Sequence, residues 1–129
     1  MKKLIPIIIS LTCTQLHALD EGDYRTIFTA IAKQESSLNS TALNKREDAR
    51  GIIQIRALYL KDANAFLKTA YKHSQCYSLS ISYKLFKAYM KRYKARTFAE
   101  CAKLHNGGPY WRKKPTAVNI YWNKVRKNL

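Results

Sequence analysis

A single, mostly α-helical domain is what this sequence predicts, with room for a small β-ribbon. Three observations carry that reading. The chain has 129 residues, the size of one ordinary domain of about 100–150 residues. Apolar residues recur at helical spacing in segment after segment, and no stretch sustains strand alternation. Hydrophobic residues make up 47% of the chain and aromatics 12%, which excludes a disordered polymer and supplies a core.

The first 18 residues read as a secretory signal peptide. Lys2 and Lys3 give a positive start, Leu4 to Leu11 a short apolar run, and Leu16-His17-Ala18 a small-residue exit. The apolar run is too short for a membrane-spanning helix of about 20 residues. Residues 1–18 are therefore expected to be removed, leaving 19–129 as the folded domain of an exported, periplasmic or secreted, protein. Cys13 goes with the leader. Cys76 and Cys101 remain, and an even pair in an oxidising compartment predicts a disulfide. Such a bridge closes a loop of about 25 residues and adds about 3 kcal/mol; the alternative is two buried thiols.

The elements follow in order. The first helix is expected from Asp23 as N-cap, with Tyr24, Ile27, Phe28, Ile31 and Leu38 as its apolar stripe. Residues 39–49 are polar and read as a loop, with a small ribbon between 39 and 55. Gly51-Ile52-Ile53-Gln54-Ile55 is a short apolar run after a glycine. A second helix spans about residues 57–71, with Leu58, Tyr59, Phe66, Leu67 and Ala70 inward. Residues 73–78 connect to a third helix over about 79–93, with Phe86, Tyr89, Met90 and Tyr93 on one side. A fourth spans about 98–105. Asn106-Gly107-Gly108-Pro109 is a strong turn. Pro115 opens a last helix with Val118, Tyr121, Trp122 and Val125 as its stripe.

Charge narrows the partners. Lys and Arg number 24 against 8 Asp and Glu, a formal net charge of +16. Without Lys2 and Lys3 the counts are 22 and 8, a net of +14. From Ala63 onward there are 15 basic residues and one acid, Glu100, more than solubility requires. The partner is therefore anionic: nucleic acid, a membrane surface, or an acidic polymer such as a cell wall. A secretory leader argues against nucleic acid, and no basic segment matches a known reading motif. His73, Cys76 and His105 lack metal-ligand spacing, so no metal or cofactor is expected, and the domain is expected to be monomeric.

Glu35 is the residue that points to chemistry. It falls on the face defined by residues 24, 27, 28, 31 and 38, all apolar. Burying a carboxylate as an anion is costly, which favours the protonated form that a general acid needs. The plain alternative is a glutamate near a helix end, turned to solvent or paired with a lysine.

Glu35-Ser36 also begins a series. Gly51-Ile52-Ile53-Gln54-Ile55, His105-Asn106-Gly107-Gly108 and Tyr121-Trp122 follow. Their order and spacing resemble the four motifs of the soluble lytic transglycosylases and goose-type lysozymes, over roughly residues 27–125. The resemblance implies a lysozyme-like helical domain that cleaves peptidoglycan between N-acetylmuramic acid and N-acetylglucosamine. Glu35 would then be the catalytic acid and base, and Tyr121 would bring its hydroxyl to the Glu35 carboxyl. Ser36 would orient that carboxyl or the sugar. Gly51 would let the chain pass close to substrate, Gln54 would hydrogen-bond the sugar or the catalytic region, and Asn106 and Gly107 would shape the cleft wall. Gln54 also reads as a residue satisfying loop backbone groups. Trp122 is read as packing.

This sequence departs from the family pattern at two positions. Ile53 stands where a Met is common, and His105 where a Tyr is common. A histidine titrates near neutrality, so His105 either tunes Glu35, contacts a sugar, or is an inert cleft residue. Most glycosidases use two carboxylates, whereas the transglycosylases use one and release 1,6-anhydro products. Candidates for a second carboxylate are Asp48, Glu47 and Asp62. Asp48 is the better placed in sequence, and Asp62 reads as solvent-facing. Peptidoglycan strands, and with them anionic wall polymers, are the partners this reading implies. A non-catalytic cationic wall- or membrane-binding protein is the alternative, and it leaves Glu35 unexplained.

Overall fold

The computed structural model describes residues 17–129. The expected leader lies almost wholly outside them, since residues 1–16 precede the described chain. The described residues form five helices and a minimal ribbon: α1 (Glu21–Ser36), β1 (Leu43–Asn44), β2 (Ala49–Arg50), α2 (Ala57–Leu67), α3 (Leu79–Arg92), α4 (Phe98–Gly107) and α5 (Pro115–Val125). Short 3-10 turns cover His73–Tyr77, Trp111–Lys113 and Arg126–Asn128. Among the described residues no helix is long and apolar enough to cross a membrane.

α1 is the axis of the molecule. It starts three residues earlier than its sequence suggests, because Asp20 and Asp23 form a reciprocal capping box. The Asp20 carboxylate accepts the Asp23 N–H at 2.8 Å, and the Asp23 carboxylate accepts the Asp20 N–H at 3.0 Å. Ile27 and Ile31 are fully buried, and so are Ala30 and Ala32 on its other sides. α1 is therefore wrapped rather than merely laid on a core, with α3, α4 and α5 packed around it. Phe28 meets Phe86 of α3 edge-on, ring centres 5.5 Å apart. Asn128 donates to the Ala30 carbonyl at 3.1 Å and ties the end of the chain to this helix. α1 stops where Ser37 and Leu38 turn left-handed, at φ 52° and 64°. Leu38 thereby leaves the stripe and lies half-exposed.

The ribbon is antiparallel, with Leu43 opposite Arg50 and Asn44 opposite Ala49. Arg50 also bridges to Ile55, so the chain from 51 to 54 curls back onto the ribbon instead of leaving it. Ile52, Ile53 and Ile55 are buried there.

α2 ends four residues short of its expected end. Asn64 accounts for this: its side chain donates to the Tyr71 carbonyl at 2.9 Å and accepts the Tyr71 N–H at 3.1 Å. Those bonds hold residues 69–71 outside the helix. The buried face of α2 is Tyr59, Leu60 and Ala63, and Leu58 is 78% exposed. Leu58 and Phe66, expected inward, therefore point away from the core. α3 and α5 bury the expected stripes, with Tyr93 and Trp122 only partly covered.

Cys76 and Cys101 do not form the expected disulfide; both are free, buried thiols. Each fills its own place in the core as a small apolar side chain. Cys76 sits in the 3-10 turn, where its carbonyl accepts the Ser82 hydroxyl at 2.7 Å. Cys101 faces α1 from α4, close to Tyr24. Burial pushes the two thiols up to about 11 and about 12, so neither offers a reactive thiolate at neutral pH. Alkylation followed by peptide mass analysis checks this. Neither cysteine is modified in the folded protein, and both are modified after unfolding without reductant.

Candidate active site

The end of α1 is clamped to the curled loop beneath it. The Ser36 hydroxyl donates to the Ile52 carbonyl at 2.7 Å and accepts the Asn39 N–H at 3.0 Å. This fixes the last helical turn, and with it Glu35. Ser36 makes no hydrogen bond to Glu35 and does not line the cleft. Its observed contact is to the loop.

The loop is a closed unit. Gln54 is left-handed at φ 56°, and its side-chain amide donates to Gly51 at 2.9 Å and Ala42 at 3.2 Å. Gly51 is required for a reason other than nearness to a sugar. A Cβ there would lie 1.9 Å from the Cys76 carbonyl oxygen, and its φ is +85°. Gly51 lies outside the cleft lining, whereas Gln54 is part of it.

Three elements then converge on Glu35. Tyr121, from α5, donates its hydroxyl to Glu35 Oε1 at 2.7 Å. Burial, with the Glu35 carboxylate adding to it, holds that hydroxyl far above the usual tyrosine range, so it remains a donor. His105, from the last turn of α4, has Nε2 2.9 Å from the Ile53 carbonyl and Nδ1 3.2 Å from the Tyr59 hydroxyl. A carbonyl only accepts, so Nε2 carries the proton and Nδ1 accepts from Tyr59. His105 Nε2 is 3.8 Å from Glu35 Oε1, too far for a hydrogen bond. Burial lowers the affinity of this imidazole for a second proton, outweighing the opposing influence of Glu35 and the Ile53 carbonyl. His105 is thus a neutral strut between the loop, α2 and α4. Tyr59 stacks on Tyr89 at 3.7 Å and continues the strut into α3.

These groups border a cleft of about 740 Å³. Glu35, Gln54, His105, Asn106 and Gly107 line it; Tyr121 reaches Glu35 from behind. Gly107 has no room for a side chain, since a Cβ would lie 2.7 Å from Val118 and 2.8 Å from Trp111. It lets α4 end flush against α5. The Glu35 side chain is 24% exposed. Its Oε2 has no hydrogen bond to protein among the described residues.

Of the other candidate acids, Asp48 and Asp62 fall differently from their sequence expectation. Asp48 lies outside the cleft and pairs with Arg50 at 3.0 Å. Glu47 lines the cleft and pairs with Arg56 at 2.7 Å. Asp62, expected to face solvent, lines the cleft and accepts the Tyr93 hydroxyl at 2.6 Å. Tyr59, Tyr89, Arg56, Tyr110 and Lys114 also line it and were not singled out in the sequence. Tyr59 and Tyr89 look there like core stripe residues, and Lys114 like one cation among many.

The His105 strut has a pH consequence. Because burial lowers its affinity, the unfolded chain binds a proton below about pH 6.5 that the folded chain refuses. Stability is therefore full at neutral pH and falls as pH drops through the unfolded value toward the folded one. Thermal melting between pH 7.5 and 5 checks this, and His105→Gln flattens the slope.

Comparison with known proteins agrees with this geometry. A lysozyme of Ostrea edulis is 33% identical over 129 aligned positions, covering 93% of this chain and 88% of that protein. Residues 13–118 match the family described as the transglycosylase SLT domain. The chain accordingly belongs to the transglycosylase SLT domain family, enzymes of the peptidoglycan-cleaving lytic transglycosylase and lysozyme type.

Proposed function

We propose that this protein is a lytic transglycosylase that cuts the β-1,4 bond between N-acetylmuramic acid and N-acetylglucosamine with Glu35 alone. The observation that carries the proposal is the state of the cleft carboxylates. Glu35 takes one neutral hydroxyl, from Tyr121, at Oε1, and its Oε2 has no hydrogen-bond partner among the described residues. Glu47 is engaged by Arg56 and Asp62 by Tyr93. Among the described residues the other two cleft carboxylates are each tied by one oxygen, Glu47 to a cation and Asp62 to a hydroxyl, which disfavours either as the base for a water opposite Glu35.

In the proposed reaction, protonated Glu35 gives its proton to the glycosidic oxygen as the bond to C1 of the muramic acid breaks. The resulting carboxylate takes the proton of the muramic acid C6 hydroxyl as O6 bonds to C1. The product is a 1,6-anhydro ring, and Glu35 regains its proton without water being consumed. Tyr121 holds Oε1 throughout, so Oε2 is the oxygen that exchanges the proton. His105 stays neutral and holds the loop beneath Glu35 through the Ile53 carbonyl. Export by the 1–18 leader and cleavage after Ala18 belong to the same proposal, since the substrate lies outside the cytoplasm.

A hydrolytic reading has one observation in its favour: Glu47 lines the cleft, and its ion pair is half-exposed, of a kind worth only about 0–1 kcal/mol. Products separate the two. Mass analysis of muropeptides released from purified peptidoglycan yields anhydro-muramic ends for the proposed reaction and reducing ends for hydrolysis. Glu35→Gln lowers turnover by about 10³-fold, and Tyr121→Phe by about tenfold. Glu47→Gln leaves turnover within about twofold. Reducing ends together with an inactive Glu47→Gln protein would establish the hydrolytic route instead.

A further inference from the structure

The cleft has a second chemical feature, apart from its carboxylates. The turn after α4 carries Tyr110, which lines the cleft yet is 68% exposed. The backbone that presents it is fixed. Trp111 N–H donates to Gly108, Lys113 N–H to Tyr110 and Lys114 N–H to Trp111, at 2.9–3.0 Å. Trp111 anchors the turn against the core. A large aromatic ring held open on a rigid turn has already lost the backbone freedom that binding would otherwise cost.

One cation flanks that ring and another lines the same cleft. Lys113 Nζ lies 5.2 Å from its centre. Lys114 lines the cleft, its ammonium held by the Gly107 carbonyl at 3.3 Å. Neither has a carboxylate partner among the described residues. The acids of the same cleft are held elsewhere, Asp62 by Tyr93 and Glu47 by Arg56. Aromatic surface and unpaired positive charge thus occur together, beside the Gly107 wall.

We propose that Tyr110 and Lys114 form a subsite that binds a sugar carrying an acidic peptide, with Tyr110 stacking on the sugar face and Lys114 reading a peptide carboxylate. Resting on the peptidoglycan reading above, this makes the substrate class more specific: strands bearing stem peptides are preferred over naked glycan. Stacking contributes to both ligands. The ammonium distinguishes them.

Calorimetric titration tests the subsite without turnover. The full chain carrying Glu35→Gln is titrated with soluble peptidoglycan strands bearing stem peptides, and with the same strands stripped of peptide by an amidase. Peptide-bearing strands bind more tightly. Tyr110→Ala weakens binding of both by about tenfold, and Tyr110→Trp retains it. Lys114→Gln weakens only the peptide-bearing strands, by about fivefold, and Lys114→Arg restores the preference. Raising salt to about 0.5 M narrows the gap. Unchanged affinity in Tyr110→Ala, a peptide preference that survives Lys114→Gln, or no binding of either ladder overturns the subsite. If the unsubstituted chain cleaves neither ladder, the proposed reaction fails, while the titration still decides the subsite.

Discussion

The hydrogen bond from Tyr121 to Glu35 joins the last helix to the first across 86 residues of sequence, and the rest of the molecule holds its two ends. α1 is covered on several sides so that its final turn cannot swing. α5 packs on α1 and α4 and brings Tyr121 in from behind. A hydroxyl 2.7 Å from a carboxylate oxygen is worth having only if both side chains are already in place, since ordering either one costs rotamer entropy. Burial provides that order. Ile31 and Ile27 lie about one and two turns before Glu35, Val118 and Val125 flank Tyr121, and all four are shut from water.

Backbone strain is concentrated in the same region. Ser37, Leu38, Asp48 and Gln54 all adopt left-handed φ, a conformation that costs non-glycine residues about 1 kcal/mol or more each. They lie between the end of α1 and the start of α2, in the stretch that forms the loop under Glu35. The surroundings sustain the strain. Ser36, Gln54 and His105 each spend side-chain hydrogen bonds on backbone carbonyls there. The polar residues of the motifs thus divide their work: Glu35 faces the cleft, while Ser36 and His105 keep the backbone that supports it in an otherwise unfavourable shape. Gln54 does both.

This division explains what was legible in the sequence. The helices were, because burying a face imposes a period, and the order of Glu35-Ser36, the Gly51–Ile55 run, His105-Asn106-Gly107 and Tyr121 pointed to one site. The contacts of Ser36 and Gly51 were not, because a residue that bonds backbone or clears a carbonyl has no signature apart from its motif. Asp62 was misread since α2 buries Tyr59, Leu60 and Ala63, and that face is shifted from the one its apolar residues suggest. Leu58 and Phe66 were misread for the same reason. The disulfide expectation rested on compartment and count; it gave way because each cysteine is part of a separate piece of core.

The scarcity of acids gives the charge its meaning. Eight carboxylates serve a chain with 24 cations, and nearly all have a structural task. Asp20 and Asp23 cap α1. Glu21 receives Lys87 and Tyr83. Glu47, Asp48 and Asp62 are held by Arg56, Arg50 and Tyr93, and Glu100 accepts the Arg96 N–H. Glu35 is the acid that lies beside a buried neutral imidazole, 3.8 Å from His105 Nε2. Among the described residues most of the cations have no acid within ion-pair distance, and the net charge of +16 makes the overall field positive. Such a field concentrates anionic strands at the protein before any specific contact forms. It does so over distances of only about 8–10 Å at ordinary salt, so the attraction is to the surface of a polymer rather than to a distant site. The contacts of Glu35 itself are a tyrosine hydroxyl and, at 3.8 Å, a neutral imidazole, whereas Arg56 and Lys114 line the same cleft, so the cations that meet an anionic strand there are separate from the groups that hold the acid.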